Sequence, residues 1–329
     1  MTSEPTTDVS GQAEVLWETL GRAKRVVVGS HISPDGDAIG SALAMSHALD
    51  QLGVAHDVKF KDPVPDNLLF LPGIDRITHT TDGGPWDLAL VLDLEAFDRL
   101  GSVRPCFDQA PFVVIIDHHL PIEAPGDLRI VDVRYPATCS ILTELFQNSK
   151  LTVTKEIAVC LATGILTDTG NFKFPNTTAQ SLHQVAWLVE RGADISHVSE
   201  QIYMQRPLAA ARIGGYAQEK MTVTGEGKLA YCTLPYRKFE EYGATEDDTE
   251  GVVNELLSVQ GVEVAFLLLE AKPGKVRGSV RARGDVDVAA IVRQFGGGGH
   301  KNAAGVSFQG DPFEAETLLR EAILAGMAP

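Results

Sequence analysis

Three short aliphatic runs, at 26–28, 88–92 and 112–116, each lead within a few residues to acidic or imidazole side chains. That pairing constrains the fold more than any other feature of the chain. Runs this short, apolar at every position and rich in β-branched residues, read as strands buried on both faces, the pattern of a parallel sheet. Helical spacing appears at 38–52, stopping at Gly53, and again at 137–148, 155–166 and 178–191. The alternation predicts an α/β domain: a parallel sheet with helices on both faces. In open sheets of this kind, ligand sites lie at the carboxyl ends of the strands. Residues far apart in sequence are therefore expected to converge: His31, Asp35 and Asp37 after the first run, Asp93 after the second, Asp117-His118-His119 after the third.

The chain has 329 residues, 44% of them apolar, enough for two cores in an ordinary soluble protein. Its formal net charge of −16 opposes a surface that coats long nucleic acid, because most of that surface repels phosphate. A nucleotide site must then come from local basic groups or from metal ions. Cys106, Cys139, Cys160 and Cys232 are dispersed without a C-x-x-C spacing, which fits reduced thiols and a cytoplasmic location. The polar start MTSEPTTDVSGQ does not read as a signal peptide, and residues 1–14 read as a mobile tail. No apolar run approaches the ~20 residues of a membrane span, so no membrane partner is expected.

The expected organisation is a metal-binding catalytic domain over 15–198, a helical connector over 199–220, and a smaller α+β domain over 221–329. In the last, strand-like runs at 229–234, 262–270 and 275–283 frame a helix at 249–259. The active site is expected in a cleft between the two domains.

Each motif also has an ordinary reading. His31-Ile-Ser-Pro-Asp35-Gly-Asp37 is a tight loop entering a helix, and Asp-Gly-Asp by itself is usually a capped turn. A histidine just ahead of it, with a strand in front, favours a ligand set. Asp93 by itself is a helix cap or turn residue; at a strand end it can bridge two ions. Arg99 reads as a surface ion pair or a phosphate holder. Asp117-His118-His119 directly after Val-Val-Ile-Ile is unusual without a site: one imidazole can ligate while Asp117 orients from behind. Asp168, in Gly164-Ile-Leu-Thr-Asp168-Thr-Gly170, ends an apolar helix and has weight only in company. Carboxylates and imidazoles gathered together suit a pair of divalent cations, which activate water and clamp phosphoryl oxygens.

Near the end stands Phe295-Gly296-Gly297-Gly298-Gly299-His300-Lys301-Asn302-Ala303-Ala304-Gly305. Consecutive glycines offer backbone N–H groups to an anion or a flat base, and the ordinary reading is a hinge. Upstream, strand alternation puts Arg277, Ser279, Arg281 and Arg283 on one face, and residues 271–284 contain no acid. That face reads as a phosphate-binding surface.

Together, HISPDGDAIGS, the strand-ending Asp93, DHH at 117–119, TDTGNF at 167–172 and FGGGGHKNAAG at 295–305 resemble the DHH phosphoesterase superfamily, in the branch with a C-terminal DHH-associated domain. The motifs stand in the family's order, and the resemblance runs from about residue 15 to the end. Its look-alikes degrade nanoRNA, dephosphorylate pAp, or act on cyclic di-AMP and pApA. The resemblance implies two Mn²⁺ ions, one held by His31 and Asp35, the other by Asp37, His118 and Asp168, with Asp93 bridging. It implies that His119 contacts the scissile phosphate and that Asp117 supports it. It implies that Ser279, Arg281, the glycines Gly297, Gly298 and Gly299, His300 and Asn302 hold the nucleotide, with Arg99 as a further phosphate contact. A homodimer is expected from it as well. Ser33 stands where an asparagine is common, and Leu94-Glu95 where a small polar residue is common. A non-hydrolysing nucleotide sensor and a manganese pyrophosphatase or exopolyphosphatase are the competing readings; inorganic substrates have no need of a nucleoside platform.

Overall fold

The computed structural model describes residues 8–94, 96–119 and 126–327. The chain divides into two units, the first ending at Gln205 and the second starting at Arg206. In chain order the first unit contains α1 (Ala13–Arg22), β1 (Arg25–Gly29), α2 (Gly36–Leu52), β2 (Ala55–Lys59), β3 (Ile77–Thr78), β4 (Leu88–Leu92), α3 (Arg104–Asp108), β5 (Val113–Asp117), β6 (Leu128–Val131), α4 (Thr138–Gln147), α5 (Lys155–Asp168), α6 (Ala179–Val189) and α7 (Ile195–Tyr203). The sheet runs β3-β2-β1-β4-β5-β6, and every pair is parallel.

The period of two along the strands sorts side chains into two cores. Val26, Val28, Leu88, Leu90, Leu92, Val114 and Ile116 join residues of α1, α2, α4 and α5 on one face. Val27, Ala89, Val91 and Ile115 join Phe97, Leu100, Val103 and Phe107 on the other. Each such fully buried aliphatic side chain stabilises by about 1.5–3 kcal/mol before conformational entropy is counted. The third strand starts one residue later than the apolar run suggests, because its pairing continues to Asp117 opposite Val131 while Phe112 is partly exposed. The chain winds from β1 outward to β3, then restarts at β4 on the opposite side of β1. The β1–β4 boundary is therefore the switch point, where connections leave in opposite directions and open space for a ligand.

The tail expected over 1–14 lies partly outside the described residues. Its later part is packed: Ser10–Gln12 is a 3₁₀ turn leading into α1, with Val9 and Ala13 buried in the core. Glu95, noted above for its departure from the family pattern, also lies outside the described residues.

The second unit contains α8 (Leu208–Lys220), β7 (Thr222–Thr224), β8 (Leu229–Leu234), α9 (Tyr236–Tyr242), α10 (Val252–Leu257), β9 (Val264–Lys272), β10 (Lys275–Ala282), α11 (Val288–Arg293), β11 (Gly298–His300), β12 (Ala303–Gln309) and α12 (Pro312–Met327). Its sheet runs β11-β12-β10-β9-β8-β7; β8 and β9 are parallel and the other pairs antiparallel. One face packs on α11 and α12 through Val292, Leu319 and Ile323, the other on α8, α9 and α10 through Ile213, Phe239 and Leu256. The segment 199–220 is thus the end of α7 and the whole of α8, whose Ile213 and Ala217 belong to the second unit's core. The helix expected at 249–259 is interrupted: Gly251, with φ 79°, separates a 3₁₀ turn at Asp247–Thr249 from α10. Among the described residues no helix is long and apolar enough to cross a membrane.

In the first unit α2 and α5 meet at backbone contact. A Cβ built on Gly40 would stand 2.5 Å from the Cys160 carbonyl oxygen, and one on Gly164 would stand 2.4 Å from Asp37 Oδ1. At an unobstructed helix position, glycine to alanine stabilises by about 1 kcal/mol. Here the neighbour at Gly40 is main chain and cannot rotate away, so the clash decides the sign. Gly40→Ala is expected to lower the unfolding free energy by about 1–3 kcal/mol in urea titration. A variant as stable as the parent would mean that the two helices can separate without cost.

Candidate functional site

Three strand ends and two helix ends deliver the acidic and imidazole side chains to one place. His31 follows β1 and Asp93 follows β4. Asp117, His118 and His119 end β5, Asp35 and Asp37 open α2, and Asp168 closes α5. His31 Nε2 lies 3.4 Å from Asp93 Oδ2 and 3.9 Å from Asp35 Oδ1. His118 Nε2 lies 3.3 Å from Asp168 Oδ2, 3.4 Å from Asp93 Oδ1 and 3.9 Å from Asp37 Oδ2. Two groups whose ligand atoms lie within 4.8 Å of one another result, His31/Asp35/Asp93 and Asp37/His118/Asp168. A third, Asp93/His118/His119, shares Asp93 with the first and His118 with the second. Asp93 turns one oxygen toward each imidazole, so a single carboxylate faces the histidines of both clusters.

Local backbone chemistry fixes these positions. Asp93 sits in the left-handed region at φ 52°, a conformation that aspartate tolerates better than most residues. Its N–H donates to the Ile116 carbonyl at 3.0 Å, and its carbonyl accepts from Ser30 Oγ at 3.2 Å. Asp35 caps α2, with Oδ1 accepting from the N–H groups of Asp37 and Ala38. The capping and ligand readings of Asp35 therefore coexist. Helix α4 starts after Ala137, which offers no capping side chain. Asp37, fully buried on α2, supplies the missing acceptors: Oδ2 takes the Thr138 N–H at 2.6 Å and Oδ1 the Cys139 N–H at 2.9 Å. Free amides at a helix start favour a carboxylate there.

The imidazole tautomers follow from their partners. His31 Nδ1 lies 2.9 Å from the Ile32 carbonyl, and His118 Nδ1 lies 3.3 Å from the Tyr135 carbonyl. A carbonyl can only accept, so Nδ1 carries a proton, and Nε2 is the nitrogen that faces the carboxylates, there to take a cation or a second proton. His118 Nε2 is buried without a hydrogen-bond partner. A buried polar nitrogen aimed at three carboxylates is costly unless a cation stands between them, so the donor set fits a divalent metal. His119 differs: its Nδ1 and its N–H both reach Asp117 Oδ1, at 2.9 and 3.1 Å, and its side chain is 42% exposed. Its Nε2 is the ring nitrogen that Asp117 does not engage.

Charge crowding is marked. Burial, then Asp93 and Asp168, push the Asp37 carboxyl well above its ordinary range. Burial raises Asp168 to about 6, with the nearby Asp93 and Asp35 adding to the rise and His118 opposing it. Burial opposes ionisation of Asp93 too, but His118 and His31 outweigh it and hold that carboxyl low. For His118, burial acts against the imidazolium, yet Asp168, Asp93 and Asp37 carry it up to about 11. His119 is raised by Asp117 in the first place. Protons thus do the work that a metal cation would do, and binding a cation would displace them.

Arg99, in the 3₁₀ helix Phe97–Val103 that follows β4, brings Nη2 within 3.3 Å of His31 Nδ1, so it stands at this cluster. In the second unit, Ser279, Arg281, Gly297 and Gly298 line one groove of about 700 Å³, together with Arg277, Asn254 and the acidic stretch around Glu246 and Glu250. Gly299, His300 and Asn302 are not among its lining residues. The glycine run is no open loop: Gly298–His300 forms edge strand β11, paired with β12. Its glycines have a steric reason, since a Cβ on Gly297 or Gly299 would stand 2.5 or 2.4 Å from a β12 carbonyl oxygen. Gly298 has open space instead. Lys301 pairs with Asp285 at 3.0 Å, and Arg277 with Glu246 at 2.6 Å.

Two contributors escape a reading of motifs. Thr138 hydrogen-bonds Asp93, and Gly164 leaves room for the Asp37 carboxylate. The available signal for Thr138 was a helix opening on Pro-Ala-Thr without a capping residue, which requires an acceptor from elsewhere.

Comparison with known proteins agrees with this architecture. Residues 25–165 match the model of the DHH family N-terminal domain, and residues 226–325 match the DHHA1 domain. The bifunctional oligoribonuclease and PAP phosphatase NrnA of Thermus thermophilus is 34% identical over 299 residues, covering 91% of this chain and 87% of that protein. The enzyme of the same name from Bacillus subtilis is 26% identical, over 89% of this chain and 92% of its own. Among solved structures, an exopolyphosphatase-related protein from Bacteroides fragilis superposes with a TM-score of 0.84 at 27% identity, covering 96% of this chain and 97% of that one. With this arrangement of motifs, domains and relatives, the chain belongs to the DHH family, in the branch that carries a DHHA1 domain after the DHH domain.

Proposed function

We propose that this protein is a manganese-dependent phosphoesterase that hydrolyses short nucleotide substrates to mononucleotides. The observation that carries the reading is the Asp93 carboxylate, shared between two clusters of metal-type ligands, one of which contains a buried His118 nitrogen without a hydrogen-bond partner. His31 and Asp35 would hold one ion, Asp37, His118 and Asp168 the other, and Asp93 both. Mixed imidazole and carboxylate donors suit Mn²⁺ better than Mg²⁺. Such a pair supplies, when bound, an acidified water and neutralisation of charge on the phosphoryl oxygens.

The chain's own groups do the rest. Asp117 holds His119 through Nδ1 and favours its imidazolium form, whose Nε2–H would donate to a phosphate oxygen. Arg99, whose Nη2 lies 3.3 Å from His31 Nδ1, would hold a further phosphate oxygen. The second unit's groove, with Ser279, Arg281, Gly297 and Gly298 on its walls, takes the nucleoside end; Gly299, His300 and Asn302 belong to the same segment as Gly297 and Gly298. The substrates we place here are pApA, cyclic di-AMP, nanoRNA and pAp. Support comes from the names of the relatives, oligoribonuclease and PAP phosphatase, and from the net charge of −16, which disfavours long strands. Four free, buried cysteines support a cytoplasmic location.

Side-by-side turnover of those four substrates with Mn²⁺ tests the reading, with pyrophosphate and polyphosphate as inorganic controls. Release of AMP from pApA, abolished by a chelator, is the expected result. Hydrolysis of the inorganic controls alone would move the assignment to a polyphosphatase, and binding of nucleotide without turnover would move it to a sensor. Asp93→Asn removes the shared carboxylate charge. If that charge is worth several kcal/mol in the transition state, turnover drops by about 10³-fold or more. Wild-type rates in this variant would end the two-metal reading.

The crowded protons give a second test. Asp168, raised to about 6, and His118, raised to about 11, both bind protons more tightly folded than unfolded. Their contribution to stability is complete at low pH and is lost as pH rises through the folded values. Mn²⁺ competes with the same protons, so its stabilisation grows with pH. The Tm difference between Mn²⁺-loaded and chelator-treated protein should widen from about pH 6 to about pH 9. A difference that stays constant or narrows would show that these groups do not hold the ion.

A further inference from the structure

We infer that Thr138 is a positioning residue that keeps Asp93 in its bridging orientation and ties it to Asp37. The inference rests on the two-metal reading above and adds a residue that no motif marks. Thr138 is fully buried at the first position of α4. Its Oγ1 donates to Asp93 Oδ1 at 3.1 Å, and its N–H donates to Asp37 Oδ2 at 2.6 Å. One residue therefore grips the carboxylate that faces both His31 and His118 and a second carboxylate, Asp37, that belongs to the His118 cluster.

The hydroxyl has one proton to give. Inside helices, threonine ordinarily gives it to the carbonyl four residues back. Thr143 and Thr163 do so here, to Cys139 and Val159. Thr138 opens its helix, so that carbonyl is not presented to it, and the proton goes to Asp93. A carboxylate turns about χ2 over a broad, roughly two-fold well. The hydroxyl selects one setting, with Oδ1 toward His118 Nε2 at 3.4 Å and Oδ2 toward His31 Nε2 at 3.4 Å. Rotation of the carboxylate away from that plane would leave one imidazole without its shared oxygen. Partners behind metal ligands commonly change metal affinity by about 10–100-fold when removed.

The test compares full-length wild type, Thr138→Val and Thr138→Ser, titrated with Mn²⁺ by calorimetry after chelation. Electron paramagnetic resonance reads spin coupling between paired ions. Valine keeps the shape and removes the proton; serine keeps the proton. We expect Thr138→Val to lose about 10–100-fold in Mn²⁺ affinity and to lose the coupled signal at loadings where wild type shows it. Thr138→Ser should recover both, and metal-free thermal unfolding should be similar for all three. Should valine not fold, Thr138→Ala replaces it in the same comparison with serine. A hydroxyl-free variant that binds two coupled ions as wild type does would overturn the positioning role. Loss of affinity in serine equal to that in valine would overturn it as well, since the hydroxyl would then be irrelevant. If wild type itself takes up no Mn²⁺, the two-metal reading of the preceding section fails, and this inference with it.

Discussion

The site depends on one carboxylate at the point where the sheet reverses its winding. β1 and β4 are adjacent and parallel, and the chain departs from them in opposite directions. Their carboxyl ends therefore open into the same space, which places His31 and Asp93 side by side although 61 residues lie between them. Asp93 is bound through its main chain to β5 and to Ser30, and it accepts a left-handed backbone at the end of an otherwise regular strand. Backbone conformations of this kind cost energy and persist where surrounding contacts hold them. With the main chain fixed, the two side-chain oxygens face two imidazoles.

Around that carboxylate the fold supplies negative charge in excess of what the imidazoles neutralise. Raised protonation at Asp37, Asp168 and His118 is one physical consequence. A cation relieves the same strain without protonating any ligand. Stability and catalytic readiness are thus coupled through a single electrostatic imbalance, built by burying carboxylates at the ends of apolar elements.

Much of this was legible in the sequence, for identifiable reasons. Short aliphatic runs buried on both faces give strands directly, and the polar residue that ends each run marks the sheet's carboxyl edge. Asp168 was legible only as the close of an apolar helix, because its distance from His118 is set by helix packing. Thr138 and Gly164 act across tertiary contacts, one through a hydroxyl and one through the absence of a side chain, and neither leaves a periodic trace. The glycine run read as an open cradle because glycine is a poor strand former; its pairing with β12 requires a closeness that only glycine allows. Ser33, at φ 53°, occupies a conformation that asparagine adopts more readily than serine.

Helix α4 owns no cap and borrows one from α2. The lender, Asp37, is also one of the residues proposed above to hold a metal ion. A change at that position would remove a proposed metal donor and at the same time unfasten the start of a buried helix, so on that proposal folding and chemistry impose the same demand on one side chain. Drift at Asp37 meets two independent penalties, and a sequence that has given up hydrolysis still has reason to retain it. The persistence of this aspartate in a distant relative is therefore weaker testimony to activity than the persistence of Asp168, whose side chain has no helix to hold.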